Sequence, residues 1–174
     1  MPLSITKPIL FGSFTVTSQV FHLTSHSYAF VNLKPILPGH VLVSPIRRVP
    51  RLHDLTAAEV SDLFQEVQRV GRMVERVFHA SALNIAIQDG SDAGQSVPHV
   101  HAHILPRKPA DLPNTDDIYK ELDGPAGDIG QHLEHARKGA FPTVDADEAR
   151  HPRTAEEMNK EAEWLTKEME KEAS

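Results

Sequence analysis

Three histidines stand at alternate positions in the run HVHAHIL: His99, His101 and His103. In an extended strand, side chains alternate between faces, so these imidazoles share one face while Val100, Ala102 and Ile104 share the other. Successive rings then stand roughly 6.6 Å apart along the chain, from a rise of about 3.3 Å per residue. The pattern expects an apolar face turned to a core and a row of titratable rings facing a cleft. Three readings of that row compete. The rings can be satisfied or solvated histidines with no further part to play. Two of them, at i and i+2, can ligate one zinc ion, although the chain has no cysteine and no histidine–glutamate pair at zinc-helix spacing. The third reading is catalysis at phosphorus: imidazole titrates near neutrality, so a neutral ring can attack while protonated neighbours hold an anion.

The loop ahead of the row favours the third reading. In QDGSDAGQ, Gly90 and Gly94 remove side-chain bulk where a backbone must approach phosphate oxygens, and successive peptide N–H groups can form an anion-binding concavity. Gln95 and Ser96 add neutral donors. A loop with two glycines is by itself an ordinary turn; directly before three aligned histidines it carries more.

The elements that must position these residues follow from the same sequence. Residues 28–33 (YAFVNL) and 40–44 (HVLVS), separated by KPILPG, read as two strands joined by a turn. Thr56 and Glu59 make a capping box, after which Val60, Leu63, Phe64, Val67, Val70, Val74 and Val77 recur at spacings of three and four. That spacing predicts an amphipathic helix of about six turns whose stripe is core and has no catalytic part. Residues 83–88 (LNIAIQ) and 97–105 (VPHVHAHIL) alternate as two strands of a hairpin-like pair. Thus 1–108 form the catalytic core, 109–153, rich in Asp, Gly and Pro, a long loop or mobile linker, and 154–174 a charged terminal helix of the same domain. That helix opens on a second capping box, Thr154 with Glu157. Its few apolar anchors (Met158, Ala162, Trp164, Leu165 and Met169) suggest weak packing or packing against a partner.

With 174 residues, 40% of them hydrophobic, the chain suffices for one domain and a tail. Its net charge of −6, with both signs well mixed, gives no basic face for nucleic acid, so a polyanionic ligand needs local positive charge. The absence of cysteine excludes a disulfide framework, and no apolar run reaches membrane-spanning length. The N-terminal residues lack the pattern of a signal peptide. These features lead us to expect a cytoplasmic protein, with the nucleus as a second compartment, and neither a nucleic-acid nor a membrane partner.

The run QDGSDAGQSVPHVHAHILPRK resembles the signature of the histidine-triad superfamily, and its PRK ending resembles the fragile-histidine-triad branch rather than the nucleoside phosphoramidase branch, where two glycines stand in place of Pro106 and Arg107. The likeness extends through VNLKPILPGHVLVSP, HDLTAAEVSDLFQEVQRVG and DDIYKEL, covering most of residues 11–122. It implies an α+β fold: a five-stranded antiparallel sheet with one long helix and a C-terminal helix, continued across a homodimer into ten strands. It further implies that His101 is the nucleophile of a covalent nucleotidyl-histidine intermediate, flanked by His99 and His103, with His40 nearby. Asn32 matches a residue near the nucleotide sugar; Gln88, Gly94, Gln95, Ser96, Val97 and His103 match positions that contact substrate. Phe14 stands where a relative carries a histidine, and the chain after Leu122 departs from the family.

The expected function is hydrolysis of a dinucleoside polyphosphate, diadenosine triphosphate to AMP and ADP before others, with positioned N–H donors and cationic imidazoles stabilising the phosphoryl oxygens. Mg²⁺ or Mn²⁺ is expected to accompany the substrate rather than fill a protein cage, and no organic cofactor is expected. A nucleoside phosphoramidase, and a nucleotide-binding protein whose substrate complex is a signal, are the rival readings. A homodimer is expected on physical grounds too. A small sheet leaves edge strands that must be paired or covered, the long helix covers only one face, and the histidine face must stay open to ligand.

Overall fold

The computed structural model describes residues 5–139 and 152–172. In chain order its elements are β1 (Leu10–Phe11), β2 (Phe14–Thr15), β3 (Val20–Leu23), β4 (Ser27–Val31), β5 (Val41–Pro45), α1 (Ala57–Val77), β6 (Ala82–Ile87), β7 (Ala102–Arg107), α2 (Asp117–Asp123), α3 (Ile129–Lys138) and α4 (Ala155–Glu170). β1 and β2 form a small hairpin, and the other five strands make one antiparallel sheet in the order β3-β4-β5-β7-β6. The α+β class, the five-stranded sheet, and the pairings of β4 with β5 and of β6 with β7 match the sequence expectation.

Helix α1 is held at its start by the expected reciprocal cap, Glu59 N–H to Thr56 Oγ1 at 3.2 Å and Thr56 N–H to Glu59 Oε2 at 2.7 Å. Its buried stripe is Leu63, Val67, Val70, Met73 and Val74, packed against β4, β5, β7 and β6. Phe64, expected in that stripe, is exposed and Met73 lies there instead, because the stripe drifts around a straight helix of 3.6 residues per turn. Ala102 and Ile104 of β7 belong to this core; Leu105, on the opposite face, joins Ile36, Leu37, Ile118 and Leu122 in a second cluster.

Two expectations need correction. The segment 109–153 is no plain linker: α2 buries Ile118 and Leu122, and α3 buries Ile129, His132 and Leu133. Each helix presents only two apolar anchors four residues apart, too few to show a period against the surrounding Asp, Gly and Pro. Asp128 nonetheless caps α3, accepting from Gln131 N–H at 2.9 Å, and Gly139 ends it in the left-handed region at φ +68°. The remainder of the expected linker, residues 140–151, lies outside the described residues. Nor is α4 loosely packed. Met158, Ala162, Leu165 and Met169 are buried against β3, β4 and α1, while Trp164 alone of the expected anchors lies exposed, edge-on to Phe78 at 5.6 Å. The few apolar residues of α4 suffice because these four are buried against the sheet and α1.

Candidate active site

The imidazole row sits where β7 enters the sheet, although not all of it is strand. β7 begins at Ala102, so His99 and His101 precede the ladder that was expected from residue 97. Their backbone is satisfied otherwise: Val100 N–H donates to Val49 O at 2.9 Å, and Ser44 Oγ donates to Val100 O at 2.8 Å. The alternation survives, since an extended backbone keeps it without ladder partners. The rings of His101 and His103 lie 5.0 Å apart, leaning together more closely than the strand rise alone requires.

The row is not an open face. His99, His101, His103 and His40 are all buried. The cover is the β1–β2 hairpin, whose Phe11 ring lies 5.0 Å from His101, edge to face, and 5.6 Å from His99. Gly12 makes the approach possible. It turns with φ +57°, and a Cβ there would come within 2.7 Å of Val97 Cγ1. The hairpin folds back because Phe11 is fully buried among Tyr28, Phe30 and the rings, with Tyr28 Oη donating to Leu10 O at 3.0 Å.

Hydrogen bonds fix the proton on each ring. Gly12 N–H donates to His99 Nδ1 at 3.0 Å, so the proton of His99 is on Nε2, which donates to Pro45 O at 2.7 Å. His101 Nδ1–H donates to the His99 carbonyl at 2.8 Å, leaving a lone pair on Nε2. Ile36 N–H donates to His40 Nδ1 at 3.1 Å; His40 therefore donates from Nε2 to His103 Nδ1 at 3.0 Å, and the His103 proton lies on Nε2. That Nε2–H is buried and has no hydrogen-bond partner in the protein. The row thus offers one uncommitted lone pair, on His101, beside one uncommitted donor, on His103.

These assignments remove the expected cations. Burial lowers the pKa of His99 to about 4, and lowers those of His101 and His103 by the same cause, in His103 well below the ordinary value. The flanking rings are neutral at pH 7, so the row offers N–H donors in place of cations. The zinc reading weakens too, since His99 and His103 each use their Nδ1 lone pair to accept a hydrogen bond and hold a proton on Nε2. Among the described residues no group of three or more His, Asp or Glu is arranged to hold a metal ion.

Of the other expected residues, Asn32 lies at the His40–His103 end of the row, its amide 3.4 Å from His40 Nδ1 and its Oδ1 accepting from Lys34 N–H at 3.0 Å. Arg153, just before α4, donates to the Asn32 carbonyl and ties the last helix to this strand end. Val97 is buried beside Gly12. The rest brace the loop. Gln95 accepts from Gly90 N–H at 2.8 Å and donates to Pro50 O at 2.7 Å; Gln88 donates to Leu122 O and Asp123 Oδ1 at the end of α2. Gly94, at φ +91°, lies where a Cβ would come within 2.5 Å of Gln88 Nε2. Ser96 Oγ accepts from Gly130 N–H of α3 at 3.0 Å.

Sequence reasoning passed over Phe11, Gly12, the Pro45 carbonyl, the Ile36 N–H and Arg48. The only local signal among them was the glycine that follows the apolar run of ILFGSF, which reads as a turn. Backbone groups leave no signature of residue type.

Comparison with known proteins identifies the family of the chain. Residues 13–110 match the family model described as HIT domain. A bis(5'-nucleosyl)-tetraphosphatase [asymmetrical] of Schizosaccharomyces pombe is 53% identical over 169 residues, covering 91% of this chain and 93% of that one. The bifunctional bis(5'-adenosyl)-triphosphatase/adenylylsulfatase FHIT of Arabidopsis thaliana is 48% identical, over 87% of this chain and 79% of its own. Among solved structures, Plasmodium falciparum diadenosine triphosphate hydrolase in complex with Cyclomarin A superposes with a TM-score of 0.72 at 27% identity, covering 98% of this chain and 90% of that one.

Proposed function

We propose that this chain, which belongs to the HIT-domain family, hydrolyses dinucleoside polyphosphates, diadenosine triphosphate to AMP and ADP first among them. The observation that carries this reading is the single uncommitted lone pair of the row, on His101 Nε2, held in place by the Nδ1–H bond to the His99 carbonyl. His101 Nε2 attacks the α-phosphorus, the bond from phosphorus to the bridging oxygen breaks, and ADP leaves with the electron pair. Water then cleaves the P–N bond of the nucleotidyl-histidine, releasing AMP and restoring the ring. As the P–N bond forms, the imidazole becomes cationic, and the His99 carbonyl on its Nδ1–H stabilises that charge. His103 Nε2–H supplies a hydrogen bond to an α-phosphate oxygen, and the Ile36–His40–His103 chain keeps that proton in place. Asn32 holds the sugar at the far end of the row. Mg²⁺ or Mn²⁺ accompanies the polyphosphate and neutralises part of its charge.

Chromatographic product analysis on a panel of dinucleoside polyphosphates tests the activity, with release of one mononucleotide per turnover expected. Quenched reactions should contain the nucleotide on His101. Faster turnover of adenosine phosphoramidate than of any dinucleotide would overturn the reading, as would binding without turnover.

The same reading includes a homodimer through β6. Of the two sheet edges, β3 is packed by α4, whereas β6 presents Ile85, 49% exposed, beside unpaired backbone groups. Two such edges joined about a twofold axis make ten strands. Light scattering at micromolar concentration should give twice the monomer mass; the monomer mass at full activity would overturn it.

A further inference from the structure

We propose that Arg48 grips the phosphates beyond the scissile one and thereby sets which polyphosphate length the site prefers, an inference that rests on the hydrolase reading above. The run IRRVPR carries three arginines with different surroundings. Arg47 is bound to Glu59 through two hydrogen bonds, at 2.8 and 2.7 Å, and Arg51 pairs with Asp89 at 3.1 Å. Arg48 has no carboxylate partner among the described residues; its guanidinium donates only to the Gly12 carbonyl, at 3.1 Å. It lines an open groove together with Gly12, Ser13, Ser96, Gln131 and Glu134, and among the described residues it is the only cationic side chain in the lining. The one carboxylate there, Glu134, is neutralised by Arg137 and Lys138.

The groove shares two walls with the imidazole row: the Gly12 turn that holds His99, and the loop running through Val97 into the row. Arg48 is close enough to His99 to oppose its protonation. Along the row, Asn32 stands at the His103 end and Arg48 at the His99 end. With one sugar at Asn32 and its α-phosphorus at His101, the rest of a dinucleotide runs toward Arg48. The three rings being neutral, this guanidinium is the cation placed to meet the outer phosphates, and its planar fork suits phosphate oxygens. A purely structural Arg48, bracing the Gly12 turn, would instead support every substrate alike.

The test compares wild type with Arg48→Ala and Arg48→Lys on dinucleoside tri-, tetra- and pentaphosphates, resolving kcat from KM, and measures inorganic tripolyphosphate binding by calorimetry. The loss in kcat/KM for Arg48→Ala should grow with phosphate number, from about threefold to more than about tenfold, chiefly through KM, with Arg48→Lys recovering part of it. Tripolyphosphate should bind about tenfold more weakly to Arg48→Ala, with a reduced salt dependence. Equal losses at every length, or an unchanged tripolyphosphate affinity, would overturn the proposal. The calorimetric arm stands apart from catalysis: weakened tripolyphosphate binding alongside a wild type that turns over no dinucleotide would sink the hydrolase reading and leave the phosphate grip in place.

Discussion

The imidazole row and the α2–α3 segment both border the candidate site, yet they are held by opposite means. Three of the four rings are fixed by backbone groups, through bonds of 2.7 to 3.1 Å, and His103 by the His40 ring at 3.0 Å, in and beside strands backed by α1. The α2–α3 segment rests on four apolar anchors, the Gly130–Ser96 contact and the bonds from Gln88. Packing without a ladder tolerates shifts of register and position, whereas a ring with a fixed proton does not. The row is therefore the region held by directed bonds, and the α2–α3 segment the one held chiefly by packing.

Truncation separates the two regions most sharply. His101→Ala should lower kcat by at least about ten-thousandfold while dinucleotide affinity changes little, because removing a nucleophile removes an interaction of the transition state. A variant retaining a tenth of wild-type turnover would show that attack comes from elsewhere.

Acid probes the row through stability. Folding depresses the pKa of His99 from 6.5 to about 4, so the unfolded chain binds the proton more readily. The contribution from neutral burial is complete above pH 6.5 and is lost as pH falls toward 4, on the order of 3 kcal/mol for this ring. His101 and His103 act in the same direction. The ion-paired carboxylates Glu59 and Asp111, each near 2, lose their contribution only at lower pH. Denaturant titrations should thus show a decline beginning near pH 6.5; a flat profile down to pH 4.5 would mean that the rings are hydrated.

The smallest effect belongs to the α2–α3 segment. Leu133→Ala removes a buried anchor of α3 and should cost about 2 kcal/mol at most, since a surface helix can settle into the gap. It should change KM by a few-fold and leave kcat nearly intact. A loss of kcat comparable to that of His101→Ala would erase the distinction between the regions.

Where a periodic pattern ran long enough, the sequence was legible. The stripe of α1 and the shared face of His99, His101 and His103 rest on residue type repeated at a fixed interval, the start of α1 on its Thr56–Glu59 box, and the pairing of β4 with β5 on two β-branched and aromatic runs about a Pro/Gly turn. The helices α2 and α3 escaped because two anchors make no period. The closed state of the row escaped for another reason: Phe11 reaches it through tertiary folding of a two-residue strand, which no local pattern encodes. The neutral charge of the rings, too, follows from burial and from carbonyl and N–H partners that any sequence would supply.

The Arg153 contact has a temporal consequence. The carbonyl of Asn32, beside the imidazole row, is bound by a guanidinium 121 residues later in the chain, and Thr166 reaches back 145 residues to Phe21. During synthesis on the ribosome the histidines emerge long before these partners, so the Asn32 end of the row is completed only after α4 has been made and docked. Closing so long a loop costs little more entropy than closing a shorter one, but it must wait for its far end. A nascent chain arrested before Arg153 would therefore carry all four site histidines and still lack the bond that steadies Asn32.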